Sequence, residues 1–205
     1  MGAGKIERAR AIFLDRDGVL NYNVLNPLTG EFEAPLTPAD FRLIPGVLES
    51  LGVLRDSGFL LFLVSNQPNY AKGKVTVDAL EGIHHRLESA LDEADIAFKG
   101  FHYCLHHPQA VVPSLQGPCQ CRKPSPYFLL NARNEHAIDL SKSWMIGDRV
   151  TDVQCGKAAG VRTIRIVDEG AEARETGDSS PDFTARNLAS AVRILLANND
   201  SRSES

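Results

Sequence analysis

The stretch AIFLDRDGVLN, residues 11 to 21, sets Asp15 and Asp17 on either side of Arg16, directly after an apolar run. Asp and Gly also make turns, so the pair gains meaning only beside other motifs. Three more polar sets follow apolar runs or precede helices: Ser65, Asn66 and Gln67 in VSNQ, Arg122 and Lys123 in CRKP, and Asp148, Arg149 and Asp152 in GDRVTD. Together they suit phosphoryl transfer. A carboxylate can attack phosphorus once positive charge offsets the repulsion between anions, and Mg²⁺ on hard oxygen ligands supplies that charge. On this reading Asp15 attacks and becomes an aspartyl-phosphate, while Asp17 protonates the leaving alcohol and then deprotonates the water that breaks the intermediate. Asp15 and Asp148 hold the metal, with Asp17 counted among its ligands, and Ser65 and Lys123 bind the phosphoryl oxygens. Asp152 is expected to orient Lys123, with contact to the metal through water as the alternative.

A second constellation lies in YCLHHPQAVVPSLQGPCQCRKP. Cys104 and His106 are followed, after 12 residues, by Cys119 and Cys121. Three thiolates and one imidazole make a closed, structural tetrahedral Zn²⁺ site, although the single-residue spacers are tighter than in common zinc fingers. Reduced cysteines without metal are the competing reading, a disulfide is a further one, and His107 competes with His106. A zinc loop over 104–121 would place Arg122 and Lys123 directly after its last ligand.

Elements must bring these sets together. Apolar runs predict strands at Ala11–Leu14, Phe59–Val64, Phe98–Tyr103, Trp144–Ile146 and Val161–Val167. Helical spacing predicts a helix from Pro45 to Gly58, one capped by Thr76 and running through Leu91, one opening at Ser125 and Pro126, one from about Thr151 to Gly160, and a last from Ala185 to Leu196. Residues 21–43 and 168–184 read as loop or short hairpin, and 198–205 as a disordered tail. Alternating strands and helices imply an α/β, Rossmann-like three-layer sandwich with a mainly parallel sheet, in one domain over 1–197. Ligands bind beyond the carboxyl ends of such strands, where the four polar sets fall.

Composition narrows the function classes. The 205 residues are 43% hydrophobic with a formal net charge of -4, so the chain can bury one core and shows no basic face for nucleic acid. No apolar stretch approaches the about 20 residues needed to cross a bilayer, and the first residues lack a signal-peptide core. A cytoplasmic monomer acting on a small molecule is expected, with no nucleic-acid or membrane partner. The Gly-Lys pairs in GAGK and AKGKVT fail the phosphate-loop pattern and read as loop. Cys155 reads as a buried inert thiol, Trp144 as core, and His84 and His85 as the solvent edge of a helix. A signalling receiver domain also combines an acceptor Asp, a Ser or Thr and a Lys, but it has no use for Asp17 or a zinc loop. A catalytically dead binding module would not need all four motifs.

DRDGVL, VSNQ, RKP and GDRVTD, in this order and spacing, resemble the four motifs of the haloacid dehalogenase superfamily of phosphohydrolases. The resemblance implies Mg²⁺ dependence, nucleophile Asp15, acid and base Asp17, phosphate ligands Ser65 and Lys123, and metal ligand Asp148. Neither gap between motifs holds a cap domain, so it is to the capless group. The pattern CxHHP…CxCRKP is similar to the zinc loop of the heptose bisphosphate phosphatases within that superfamily, and histidinol-phosphate phosphatases share a shorter version. SNQPNYAKG and the longer 21–41 segment depart from the first group. A phosphorylated sugar is the implied substrate, bound by Arg122, Lys123 and Arg149 with Asn66, Gln67 and the loop around Asn23 to Asn26.

Overall fold

The computed structural model describes residues 8–27, 30–167 and 180–199. Six parallel strands form the main sheet in the order β5-β4-β1-β6-β7-β8: β1 is Arg10–Leu14, β4 Phe59–Asn66, β5 Phe98–Cys104, β6 Trp144–Gly147, β7 Arg162–Ile166 and β8 Phe183–Ala185. A two-stranded antiparallel hairpin, β2 (Val24–Leu25) and β3 (Phe32–Glu33), follows β1. Five helices complete the fold: α1 Val47–Asp56, α2 Val77–Glu93, α3 Tyr127–His136, α4 Val150–Ala159 and α5 Leu188–Asn199.

Strand alternation explains the three layers. Ile12 and Leu14 of β1 and Leu61 and Leu63 of β4 join α1, α2 and α5 in one core, with Leu51, Leu54, Ile83, Leu87 and Leu195. Ala11, Phe13, Phe62 and Val64 face the other way, onto Leu129 and Ala132 of α3 and Cys155 and Ala159 of α4. Both faces are covered, as a parallel sheet requires. Trp144 is 1% exposed, in the first of these cores.

The sequence expectations hold for the five strands and for the Thr76 cap, whose side chain accepts a 3.1 Å hydrogen bond from the Ala79 N–H. Three need correction. Ala185 ends β8 rather than opening the last helix, which starts at Leu188. The 168–184 loop therefore contributes a sixth strand at its end, paired with Ile164–Ile166, and 168–179 lies outside the described residues. The last helix also runs through Asn198 and Asn199, which were assigned to the tail; 200–205 lies outside the described residues. Among the described residues no cap-sized insertion interrupts the sheet: β1 is followed by the small hairpin, and β4 and β5 are joined across α2. No described helix is long and apolar enough to cross a membrane.

Candidate active site

β1 lies at the centre of the sheet between β4 and β6, so the residues following these three strands meet at one edge. Asp15 continues β1 and its N–H donates to Ile146 O of β6 at 2.9 Å. Two glycines permit the crowding. Gly18 has φ +80°, and a Cβ there would fall 2.4 Å from Asp148 Oδ2; a Cβ on Gly147 would fall 2.2 Å from Asp152 Oδ2. Side chains at either position would push the carboxylates apart.

Lys123 is 2% exposed, and its Nζ lies 3.1 Å from Asp15 Oδ1, 2.6 Å from Asp152 Oδ1 and 2.7 Å from Val64 O. Burial alone would lower its pKa, but Asp15 and Asp152 reverse this and hold it above the usual lysine value, so the ammonium stays charged. Burial and Asp15 push Asp152 up to about 6, against the pull of Lys123. Asp152 thus touches Lys123 and also accepts the Arg149 N–H at the start of α4.

Carboxylate oxygens of Asp15, Asp148 and Asp152 lie within 4.8 Å of one another. Asp148 Oδ1 is buried without a hydrogen-bond partner among the described residues, and burial, Asp15 and Asp152 all raise its pKa well above the carboxylate range. Hard anionic oxygens with an orphaned acceptor are the donor set that Mg²⁺ takes, so Asp15 and Asp148 fit that ion. Asp17 is built differently. Its carboxylate accepts from Arg16, from Asn21 Nδ2 at 2.9 Å and from Gln67 Nε2 at 2.5 Å. Its carboxylate, expected among the metal ligands, is not part of the three-carboxylate group of Asp15, Asp148 and Asp152.

Ser65 is 2% exposed at the end of β4, with its Oγ accepting from Gln67 Nε2 at 3.0 Å. Asn66 and Gln67, expected to touch substrate, are spent elsewhere. The Asn66 carboxamide pairs with the Lys123 backbone, Oδ1 accepting its N–H at 3.0 Å and Nδ2 donating to its O at 3.1 Å. Gln67 is consumed by Asp17, Ser65 and Arg16. These bonds tie Asn66 and Gln67 to other residues of the site.

Cations ring the mouth. Arg122 donates to His106 O at 3.2 Å, and Arg149 is exposed, its Nε 4.0 Å from Asp148 Oδ1. Lys72, read as loop from sequence, is a further member. Its pKa is lowered by partial burial and then by Lys74 and Arg122, with Glu33 opposing and a smaller push from Arg149, so Lys72 lies in the field of three other positive groups. The only sequence signal for Lys72 was the paired lysines of AKGKVT. The Lys72 segment is docked on the Cys-rich loop through Val111 N–H to Ala71 O at 2.7 Å, and Lys74 Nζ reaches Glu33 Oε2 of β3 at 2.6 Å. Asn23 approaches as well, since a Cβ on Gly18 would lie 3.1 Å from its Nδ2, whereas Asn26 is buried and bonded to Glu33.

In the Cys-rich loop, Sγ of Cys104 lies 3.7 Å from that of Cys119 and 3.1 Å from that of Cys121, Cys119 and Cys121 are 3.7 Å apart, and His106 Nδ1 is 3.5 Å from Cys121 Sγ. A disulfide needs about 2.05 Å, whereas a tetrahedron of thiolates about 2.3 Å from Zn²⁺ has edges of about 3.8 Å. The four residues therefore fit zinc. His107 does not join them; its Nδ1 accepts the Gln109 N–H. Cys155 is fully buried, burial pushes its thiol up to about 12, and its Sγ donates to Ser125 O.

A central parallel strand ending in two aspartates, with Ser65, Lys123 and Asp148 converging on them, is the construction of the haloacid dehalogenase-like phosphatases. The profile of the HAD-hydrolase-like family matches residues 120–191. The chain is similar to D-glycero-beta-D-manno-heptose-1,7-bisphosphate 7-phosphatase of Escherichia coli (strain K12), 35% identical over 179 residues, 87% of this chain and 90% of the relative. The protein of the same name from Yersinia pestis is 33% identical over 187 residues, 91% and 95% of the two chains. Among solved structures, a HAD-like phosphatase from Mesorhizobium loti has a TM-score of 0.76 at 26% identity, covering 98% of this chain and 90% of that one. D,D-heptose 1,7-bisphosphate phosphatase from B. bronchiseptica, complexed with magnesium and phosphate, shares the fold with a TM-score of 0.76 at 24% identity, covering 92% and 98%. This chain is a phosphatase of the haloacid dehalogenase-like class. It belongs to the family of the D-glycero-beta-D-manno-heptose-1,7-bisphosphate 7-phosphatases.

Proposed function

We propose that this protein, as a single catalytic domain, removes the 7-phosphate of D-glycero-D-manno-heptose 1,7-bisphosphate through an aspartyl-phosphate on Asp15. The observation that carries the chemistry is the contact of Lys123 with Asp15 beside the orphaned oxygen of Asp148. Asp15 and Asp148 would hold Mg²⁺, which neutralises charge on the phosphoryl oxygens when bound. One Asp15 oxygen attacks phosphorus as the bond from phosphorus to the alcohol oxygen breaks, and Asp17 gives that oxygen its proton. Water then attacks the same phosphorus, loses a proton to Asp17, and releases Asp15 with inorganic phosphate. Lys123 and Ser65 bind the equatorial oxygens, the ammonium being kept charged by Asp15 and Asp152.

The substrate follows from the mouth. The hairpin, the Lys72 segment and the Cys-rich loop wall the site without a cap, which suits a primary phosphate on an extended chain. Lys72, Arg122 and Arg149 then face whatever lies beyond the reacting phosphate, and a second phosphate uses them. The names of the relatives support the same substrate. Cys104, His106, Cys119 and Cys121 would hold a structural zinc that fixes this wall.

The test compares kcat/KM for the heptose 1,7-bisphosphate and for histidinol phosphate, with the position of the remaining phosphate read by NMR. Release of the 7-phosphate alone, with the bisphosphate preferred, is the expected outcome. A preference for histidinol phosphate, which carries an amine where the cations expect an anion, overturns the substrate and leaves the phosphatase standing.

A further inference from the structure

Arg16 is the residue between the two aspartates, and the chemistry above assigns it nothing. It is 1% exposed, among the largest fully buried side chains of the protein. Burying a guanidinium is costly unless every donor is used and the charge is paired. Here Nε and Nη2 reach Asp17 Oδ1 at 3.1 and 3.0 Å, Nη2 reaches Asp17 Oδ2 at 3.2 Å, and the same nitrogen reaches Gln67 Oε1 at 2.9 Å. The guanidinium carbon lies 5.8 Å from the centre of the Tyr103 ring, within reach of a cation–π contact. Gln67 closes the circuit by donating to Asp17 and to Ser65. Arg16 is further tied through its backbone, its carbonyl accepting the N–H groups of Leu20 and Asn21 at 2.8 and 3.2 Å.

We propose that Arg16 is a positioning residue: clamped between Gln67 and Tyr103, it fixes the rotamer of Asp17 so that the carboxyl faces the leaving oxygen of the substrate. A planar fork restrains a carboxylate in direction as well as distance, which a lysine point charge does not. The Gln67 link means that the group transferring the proton and the hydroxyl binding the phosphoryl oxygen are set by one side chain. This rests on the proposed role of Asp17 as acid and base.

The experiment uses two esters of unequal leaving group, a primary alkyl phosphate and p-nitrophenyl phosphate, and reads kcat/KM, which reports the first phosphoryl transfer. An alkoxide needs the proton in the transition state and nitrophenolate hardly does. Positioned acids contribute about 10²-fold or more, so Arg16→Met should lower kcat/KM about 100-fold for the alkyl ester and about threefold for the aryl ester. Arg16→Lys should show the same selectivity with an intact melting temperature, which covers the case in which the methionine variant does not fold. Asp17→Asn should carry the same signature, and combining it with Arg16→Lys should add no further alkyl-to-aryl discrimination. Equal losses on the two esters, or discrimination that multiplies in the double variant, overturns the proposal. Failure of the reading beneath it looks different: Asp17→Asn itself would then lower kcat/KM equally for both esters.

Discussion

Lys123 and Asp152 face each other at 2.6 Å in a site where both are at most 2% exposed, and the carboxylate of that pair titrates at about 6. Asp15 attracts Lys123 and repels Asp152, so the ammonium is held charged while the carboxylate is pushed up. Asp152→Asn should therefore lower kcat by about tenfold or more, as Lys123 drifts from the phosphoryl oxygens. Stability should fall as well, because removing one partner of a buried ion pair costs about 3–5 kcal/mol and leaves the buried ammonium with Asp15 alone. Steady-state kinetics and urea unfolding check the two halves separately; full activity contradicts the first and unchanged stability the second.

Asp15→Asn removes the nucleophile and a metal ligand together, and turnover should drop about a thousandfold or more. Asp17→Asn keeps the nucleophile, so a stoichiometric phospho-enzyme should be trapped by rapid acid quench with labelled substrate. Multiple turnover by Asp15→Asn, with deamidation excluded by mass spectrometry, removes the covalent mechanism.

Purified protein should carry about one zinc per chain, and strong chelation should lower its melting temperature even with Mg²⁺ restored. Arg122 follows the last ligand directly, so the stripped protein should also show a raised KM. Elemental analysis without zinc, on protein never exposed to chelator, is the contrary result.

Lys72→Ala and Arg122→Ala should each raise KM for the bisphosphate by about tenfold while changing that of a simple monophosphate much less. Equal effects on the two would place these cations on the reacting phosphate instead.

Acidification should expose His84. Burial lowers its pKa, His85 and Arg16 lower it further, and Glu88 only partly offsets them; its Nδ1 lies 3.1 Å from the Tyr103 hydroxyl. The unfolded chain takes up this proton first, near pH 6.5, so His84 costs stability as pH falls through that value. His84→Gln should lose less melting temperature than wild type between about pH 7.5 and about pH 5.5. An identical loss in both removes His84 from the acid response.

The sequence carried the chemistry where it was local. Asp15, Asp17, Lys123 and Asp148 stand in short motifs whose residue types already imply their roles, and strand periodicity placed them on one edge. The contacts of Asn66 and Gln67 could not be read from the sequence because their partners lie 57 and 50 residues away, beyond any local pattern. β8 was missed because Phe183–Ala185 is three residues long and pairs only with β7, so no periodicity could announce it. Lys72 sat in a segment without period, and its meaning comes from the loop that Val111 docks against it.

That docking has a consequence for how choice is exercised. With no cap-sized insertion among the described residues, a bisphosphate bound as proposed would be judged while water still surrounds much of it, by fixed charge and not by enclosure. Such discrimination is open to competition from the medium: dissolved salt shortens the reach of every cation at the rim, to about 8 Å at physiological ionic strength. Fidelity for the proposed doubly charged substrate would then be a property of the solution as well as of the protein, strongest in dilute buffer and eroding as ions accumulate.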